Sequence, residues 1–237
     1  MRFTQGMADS HSALSALLAA YSGNPVKPVP WSAHPLRRRR RSKPVSYRVR
    51  LDLLDARPPI WRRLDLASNL RLDQVHTVIQ VAMGWSDAHL HAFSAGGRPY
   101  MPDSYQFLNQ YEIEQDEPGI PESEVRLDEV VMEPGDRLWY EYDFGDSWNH
   151  VLKLEKVLPR GANDPAATCL GGRRACPPED CGGLAGYEGL LAFAEDPTLA
   201  PDWVKESWLY HFPDGYFDPA AFDVTEVNDA LWLEEPQ

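Results

Sequence analysis

The stretch RLWYEYDFGDSWNHVLKLEKV, Arg137 to Val157, decides how the rest of the chain is read. Leu138, Tyr140, Tyr142 and Phe144 alternate with Trp139, Glu141 and Asp143; beyond Gly145, Trp148, His150, Leu152 and Leu154 alternate with Asn149, Val151 and Lys153. A period of two is that of a strand with one face on a core, so two strands joined by a tight turn are expected. Taking Gly145-Asp146-Ser147 as a three-residue loop sets Phe144 opposite Trp148, Tyr142 opposite His150, Tyr140 opposite Leu152 and Leu138 opposite Leu154. His150 then falls on the buried face, where an imidazole needs a partner for each ring nitrogen. Asp143 and Asp146 flank the turn, a place where aspartate bonds nearby backbone.

Upstream, Tyr47, Val49, Leu51 and Leu53 alternate with Arg48, Arg50 and Asp52, and Pro58-Pro59 turns the chain into a partner strand, Ile60 to Leu66. Leu72, Val75, Ile79 and Met83 recur at helical spacing, which predicts a helix over 72–83 ended by Gly84. His76 lies beside that stripe and reads as a core histidine bonded to backbone. In HLHAF, His89, His91 and Phe93 share one face, and the acidic stretch from Pro99 to Glu124 reads as exposed loop. Further on, Tyr187, Leu190, Leu191 and Ala194 mark a helix opened by Gly182-Gly183, while Asp218-Pro219 and Thr225 are expected to open two more. The expected fold is α+β: a β-grasp-like mixed sheet with one packed helix, followed by a helical C-terminal part. Residues 47–237 form this domain, and residues 1–46 precede it as an extension with a short helix through Ala13 to Ala20 and a basic Pro/Arg linker.

Net charge is −13, divided as +7 through Ser46 and −20 over the remainder. A body this acidic repels phosphate backbones, which leaves nucleic acid, or an acidic partner, to Arg37, Arg38, Arg39, Arg40 and Arg41. No basic segment precedes the Ala13 to Ala20 run and no stretch reaches membrane-spanning length. Three cysteines, an odd number, make no disulfide framework, so a cytoplasmic protein without membrane attachment is expected.

Cys169, Cys176 and Cys181 fall within thirteen residues on a loop stiffened by Pro177-Pro178. Three thiolates and one histidine suit zinc, with His150 the first candidate for the fourth ligand and His211 the second. Packing thiols, or a bridge between Cys176 and Cys181, are the alternatives. A ligand pocket is expected from His89, His91, Asp143, Asp146, Glu179, Asp180 and Tyr187, and the Gly182-Gly183 amides could approach an anion.

Six motifs, PPIWRRL, VHTVIQVAMGW, HLHAF, YEYDFGDSWNHVLKLEK, ACPPEDCGGLAGYEGLL and FDPAAFD, resemble the plasmid pRiA4b ORF-3-like family from about Tyr47 to Asn228. Arg71 stands where that family's pattern often has a threonine capping the helix. The resemblance implies an α+β domain and, through a passenger protein of an insertion sequence in the family, a link to mobile elements; it implies no particular reaction. A resolvase role would need a nucleophilic serine among arginines and a DNA-reading helix pair, and neither can be placed. Three functions compete. One is an accessory or binding protein whose acidic surface and pocket take a metal, a small ligand or a protein partner. Another is a metal-dependent hydrolase built from His89, His91, Asp143, His150 and Asp180, and the third is a DNA-associated factor acting through the arginine run.

Overall fold

Alternating residues build the first hairpin of this computed structural model, which describes residues 34, 36–98, 101, 104–198 and 201–233. The expected helix through Ala13 to Ala20 lies outside them. Strand β1 (Ser46–Leu53) pairs antiparallel with β2 (Ile60–Ala67), Ser46 facing Ala67 and Leu53 facing Ile60. Helix α1 (Leu72–Met83) follows, with Leu72, Val75 and Ile79 wholly buried. Gly84 ends it in the left-handed conformation, φ 80°, donating to the Gln80 carbonyl at 2.8 Å. At its start the Gln74 side chain accepts from the Arg71 N–H at 3.0 Å, and the Gln74 N–H that a threonine at 71 would take is taken by Asp73 Oδ1 at 2.8 Å.

The chain continues through β3 (His91–Ala95), β4 (Tyr105–Leu108), α2 (Gln110–Glu114), β5 (Ile120–Pro121) and α3 (Leu127–Val130). The ribbon β6 (Arg137–Tyr142) and β7 (Trp148–Leu158), then β8 (Ala167–Arg173), complete one sheet in the order β5-β4-β3-β6-β7-β1-β2-β8. Among the described strands only β4 and β5 run parallel. Helices α4 (Gly183–Glu195), α5 (Asp202–His211) and α6 (Val224–Leu233) follow, with α6 against α1 and β8. The class is α+β. One face of the sheet, carrying Val49, Leu51, Leu64, Leu138, Tyr140, Leu152 and Leu154, is sealed from water. Each such aliphatic side chain contributes about 1.5–3 kcal/mol relative to exposure.

Four expectations are corrected. In the ribbon, Tyr142 faces Trp148, Tyr140 faces His150 and Leu138 faces Leu152, a register displaced from the expected one that keeps these residues inside but leaves Phe144 half-buried in the turn. The cause is Asp143, which turns left-handed (φ 54°), accepts from Gly145 N at 2.9 Å and Asp146 N at 3.3 Å, and so ends β6 early. The stretch Pro99 to Glu124 is not simply exposed: it carries β4, α2 and β5, with Phe107 and Glu122 buried. Asp218-Pro219 opens a turn rather than a helix, its carboxylate taking Ala220 N at 2.8 Å, and Asp223, not Thr225, caps α6. Finally, the arginine run is not a free linker. Arg37 and Arg40 reach Glu129 at 2.7 and 3.0 Å, Arg38 reaches Asp136 at 3.2 Å, and Arg41 bonds Asp128 and the Met132 carbonyl. The acidic surface on which it docks belongs to the same chain.

Candidate functional site

Three loops meet where α1, β6 and the segment before α4 end. Gly84 releases the chain from α1, and Trp85 donates from Nε1 to the Pro177 carbonyl at 3.0 Å. Glu179 accepts from Ser86 N at 2.9 Å and from the Ser86 and Tyr142 hydroxyls, while the Tyr142 oxygen also accepts from Ala88 N at 3.0 Å. Burial pushes the Glu179 carboxyl up, but these hydrogen bonds outweigh it and hold the group below the usual range. Glu179 is thereby a fastener between loops. On the other side, Gly182 N donates to Asp146 Oδ2 at 3.1 Å. A Cβ on Gly183 would meet the Asp146 carbonyl oxygen at 2.6 Å, so glycine is needed for that approach. The anion met by the glycine amides is a carboxylate of the chain itself.

This fastening gathers His89, Asp143 and Asp180. His89 Nε2 lies 3.1 Å from Asp180 and 3.7 Å from Asp143, is itself buried, and has no well-aligned hydrogen bond among the described residues. One nitrogen and two carboxylate oxygens thus lie within 4.8 Å of one another. Asp143 and Asp180 both hold positive φ, 54° and 58°. Such backbone costs on the order of 1–2 kcal/mol outside glycine and tends to collect at functional sites. The Asp146 carboxyl is pushed up by burial, its Gly183 and Gly182 hydrogen bonds opposing and the charges of Asp143 and Asp180 adding to the rise.

A second group lies deeper. His76 bonds Tyr140 through Nδ1 and Asp87 through Nε2, each at 2.9 Å, rather than backbone as expected. Its ring stacks on His91 at 3.4 Å and 4°, and His91 reaches Glu122 at 2.9 Å. Burial, with His91 close by, pushes the His76 pKa down to about 4. His91 therefore parts from His89 and joins a group that the sequence hid, because Glu122 sat in a stretch read as loop.

The cysteines do not converge. Cys169 sits on β8 with its thiol toward the Gly171 carbonyl, Cys176 faces Arg62 and the Met83 sulfur, and Cys181 lies at the start of α4. Among the described residues no three ligand atoms from Cys169, Cys176, Cys181, His150 or His211 come within sharing distance of one ion. All three thiols are free. His150 is fully buried and holds the Trp148 carbonyl at 2.8 Å, and Tyr187 packs in the core against Phe217 instead of lining the cluster.

The molecule is thus an α+β protein with histidine–carboxylate clusters where its loops converge. It belongs to the plasmid pRiA4b ORF-3-like protein family, whose model matches residues 45–226. An uncharacterized protein, y4hQ, of Sinorhizobium fredii is 30% identical over 187 residues, covering 78% of this chain and 89% of the relative. The crystal structure of MM3350, a protein of unknown function from Methanosarcina mazei Go1, superimposes with a TM-score of 0.66 at 29% identity, covering 78% of this chain and 97% of that one.

Proposed function

We propose that this chain is a binding protein that holds a divalent metal ion at His89, Asp143 and Asp180 and serves as an accessory of mobile elements. The observation that carries the metal reading is the buried His89 Nε2, short of an aligned partner and facing two carboxylates. One imidazole and two carboxylates suit zinc or manganese, and three protein ligands leave further positions for water or a partner group. The plasmid in the family's description supports the accessory role. Both closed loops and the Glu179 fastener hold the ligands in place without a thiolate.

The test is calorimetric titration of untagged, chelator-stripped protein with Zn²⁺ and with Mn²⁺. One equivalent is expected to bind, with affinity falling as pH drops, because protons compete with the metal for its ligands. His89→Ala and Asp180→Asn are each expected to weaken binding by about tenfold or more, equivalent to about 1.4 kcal/mol. Binding that ignores both substitutions refutes the site. Assaying the loaded protein against phosphoester and amide substrates decides whether the ion also activates water.

A further inference from the structure

The sheet has a second face. Opposite the sealed side, the strand register places Arg63, Arg50, Lys153 and Arg137 side by side on β2, β1, β7 and β6. Neighbouring strands lie about 4.8 Å apart, so these four cations form a row about 14 Å long. Arg48 and Lys156 face each other farther along the same surface. Three carboxylates answer the six cations: Asp65 pairs with Arg48, Asp52 with Arg50 and Glu155 with Arg63. Arg137, Lys153 and Lys156 are exposed and take no ion pair among the described residues. The face is therefore net positive on a chain of charge −13.

The row is not flat surface. A cleft of about 650 Å³ is lined by Arg48, Arg63, Lys153 and Lys156 together with Glu155 and the Pro134-Gly135 turn. Arg137, at the other end, lines a second cleft of about 410 Å³ with Arg37, Arg38 and Asp136. In the adjoining register row the two indoles Trp61 and Trp139 stand on the same face, with Asp52 and Val151 between them. The Arg50 and Arg63 guanidiniums lie 4.6 and 5.5 Å from the Trp61 ring centre, and Arg98 lies 5.3 Å from that of Trp139. Such contacts hold guanidinium planes in place before any ligand arrives.

We infer that this face binds single-stranded nucleic acid, its phosphates running along the basic row and its bases stacking on the indoles and guanidiniums. A compact polyphosphate would use one cleft only; the row joins two. A duplex would bring no free base faces to Trp61 and Trp139, whereas a single strand offers one per nucleotide. The acidic remainder of the protein repels phosphate and confines binding to this side.

The experiment is fluorescence anisotropy of the full chain with labelled twelve-nucleotide dT and rU strands, in chelator so that no metal site contributes. Contact with three to four phosphates is expected to weaken binding roughly 20- to 50-fold between 50 and 200 mM salt. The double variant Lys153→Glu, Lys156→Glu, exposed at both positions, is expected to lower affinity at least tenfold, and Lys205→Glu on α5 is expected to change nothing. Circular dichroism of each variant guards against misfolding. Absence of binding at 50 mM salt overturns the inference, as does indifference to the double variant. Equal binding of a duplex, or equal competition by tripolyphosphate, overturns the assignment to single strands.

Discussion

Acidification should unfasten this protein through His150, and the size of the effect follows from its surroundings. The side chain is wholly buried, its Nδ1–H donates to the Trp148 carbonyl at 2.8 Å, and Nε2 has no partner among the described residues. Burial pushes its pKa down to about 3. An unfolded histidine titrates near 6.5, so the stability this neutral ring contributes is present above that pH and is lost as pH falls toward 3. Between pH 7 and pH 5 the unfolded ring becomes roughly 97% protonated while the folded one stays neutral, a loss of about 2 kcal/mol. His76, pushed down to about 4, adds a loss of the same sign. Glu112, which burial raises to about 7, acts oppositely and gains stability as pH falls toward its unfolded value. Comparing wild type with His150→Phe cancels both, since each protein retains them. Urea unfolding followed by tryptophan fluorescence at the two pH values should show about 2 kcal/mol less acid loss in the variant. Equal losses in the two proteins would mean that the folded imidazole takes up a proton as readily as a free one, and the buried, neutral assignment would fail.

Other expectations are quicker to check. A Cβ at Gly186 would lie 1.7 Å from the Cys181 carbonyl oxygen, so Gly186→Ala should destabilise by roughly 3 kcal/mol or more in urea melts. Gly84→Ala meets no neighbour and should cost only about 1–2 kcal/mol, the strain of a left-handed backbone. Burial pushes Cys176 up to about 11 and Cys181 to about 12. At pH 8 about one Cys176 in a thousand is then thiolate, and Ellman's reagent should react with the native protein far more slowly than with the unfolded one.

Much of the fold could be read in advance because its signals are local. The stripe from Leu72 to Met83 and the Gly84 stop define α1 at both ends, and alternation in β1, β2, β6 and β7 separates inside from outside. The ribbon register escaped for the same reason that its faces did not: sliding one strand by two positions leaves every side chain on its side of the sheet. What decided the pairing was the left-handed turn at Asp143, a backbone state that alternation does not report. His89, Asp143 and Asp180 are drawn together by bonds between loops, Trp85 to Pro177 and Gly182 to Asp146, that link residues far apart in sequence. The cysteines misled in the opposite sense, since nearness along the chain placed three thiols in three environments. Charge misled by averaging: a total of −13 conceals a row of cations that appears only when strands lie side by side.

The docked arginine run separates the inherited unit from the physical one. Family likeness begins at residue 45, yet Glu129, whose side chain is sealed from solvent, finds its counter-charges at Arg37 and Arg40. A chain trimmed at the edge of the likeness would lose both guanidiniums and the cover they lay over Glu129, leaving that carboxylate the Arg126 N–H at 3.0 Å and water. Because water reaches the uncovered carboxylate, the loss is that of half-exposed ion pairs, on the order of 1 kcal/mol each, which still counts against the small net stability of a domain. This chain, cut by alignment alone, would therefore be handled in the laboratory as a weaker protein than it is, for a reason that lies a few residues outside the aligned block.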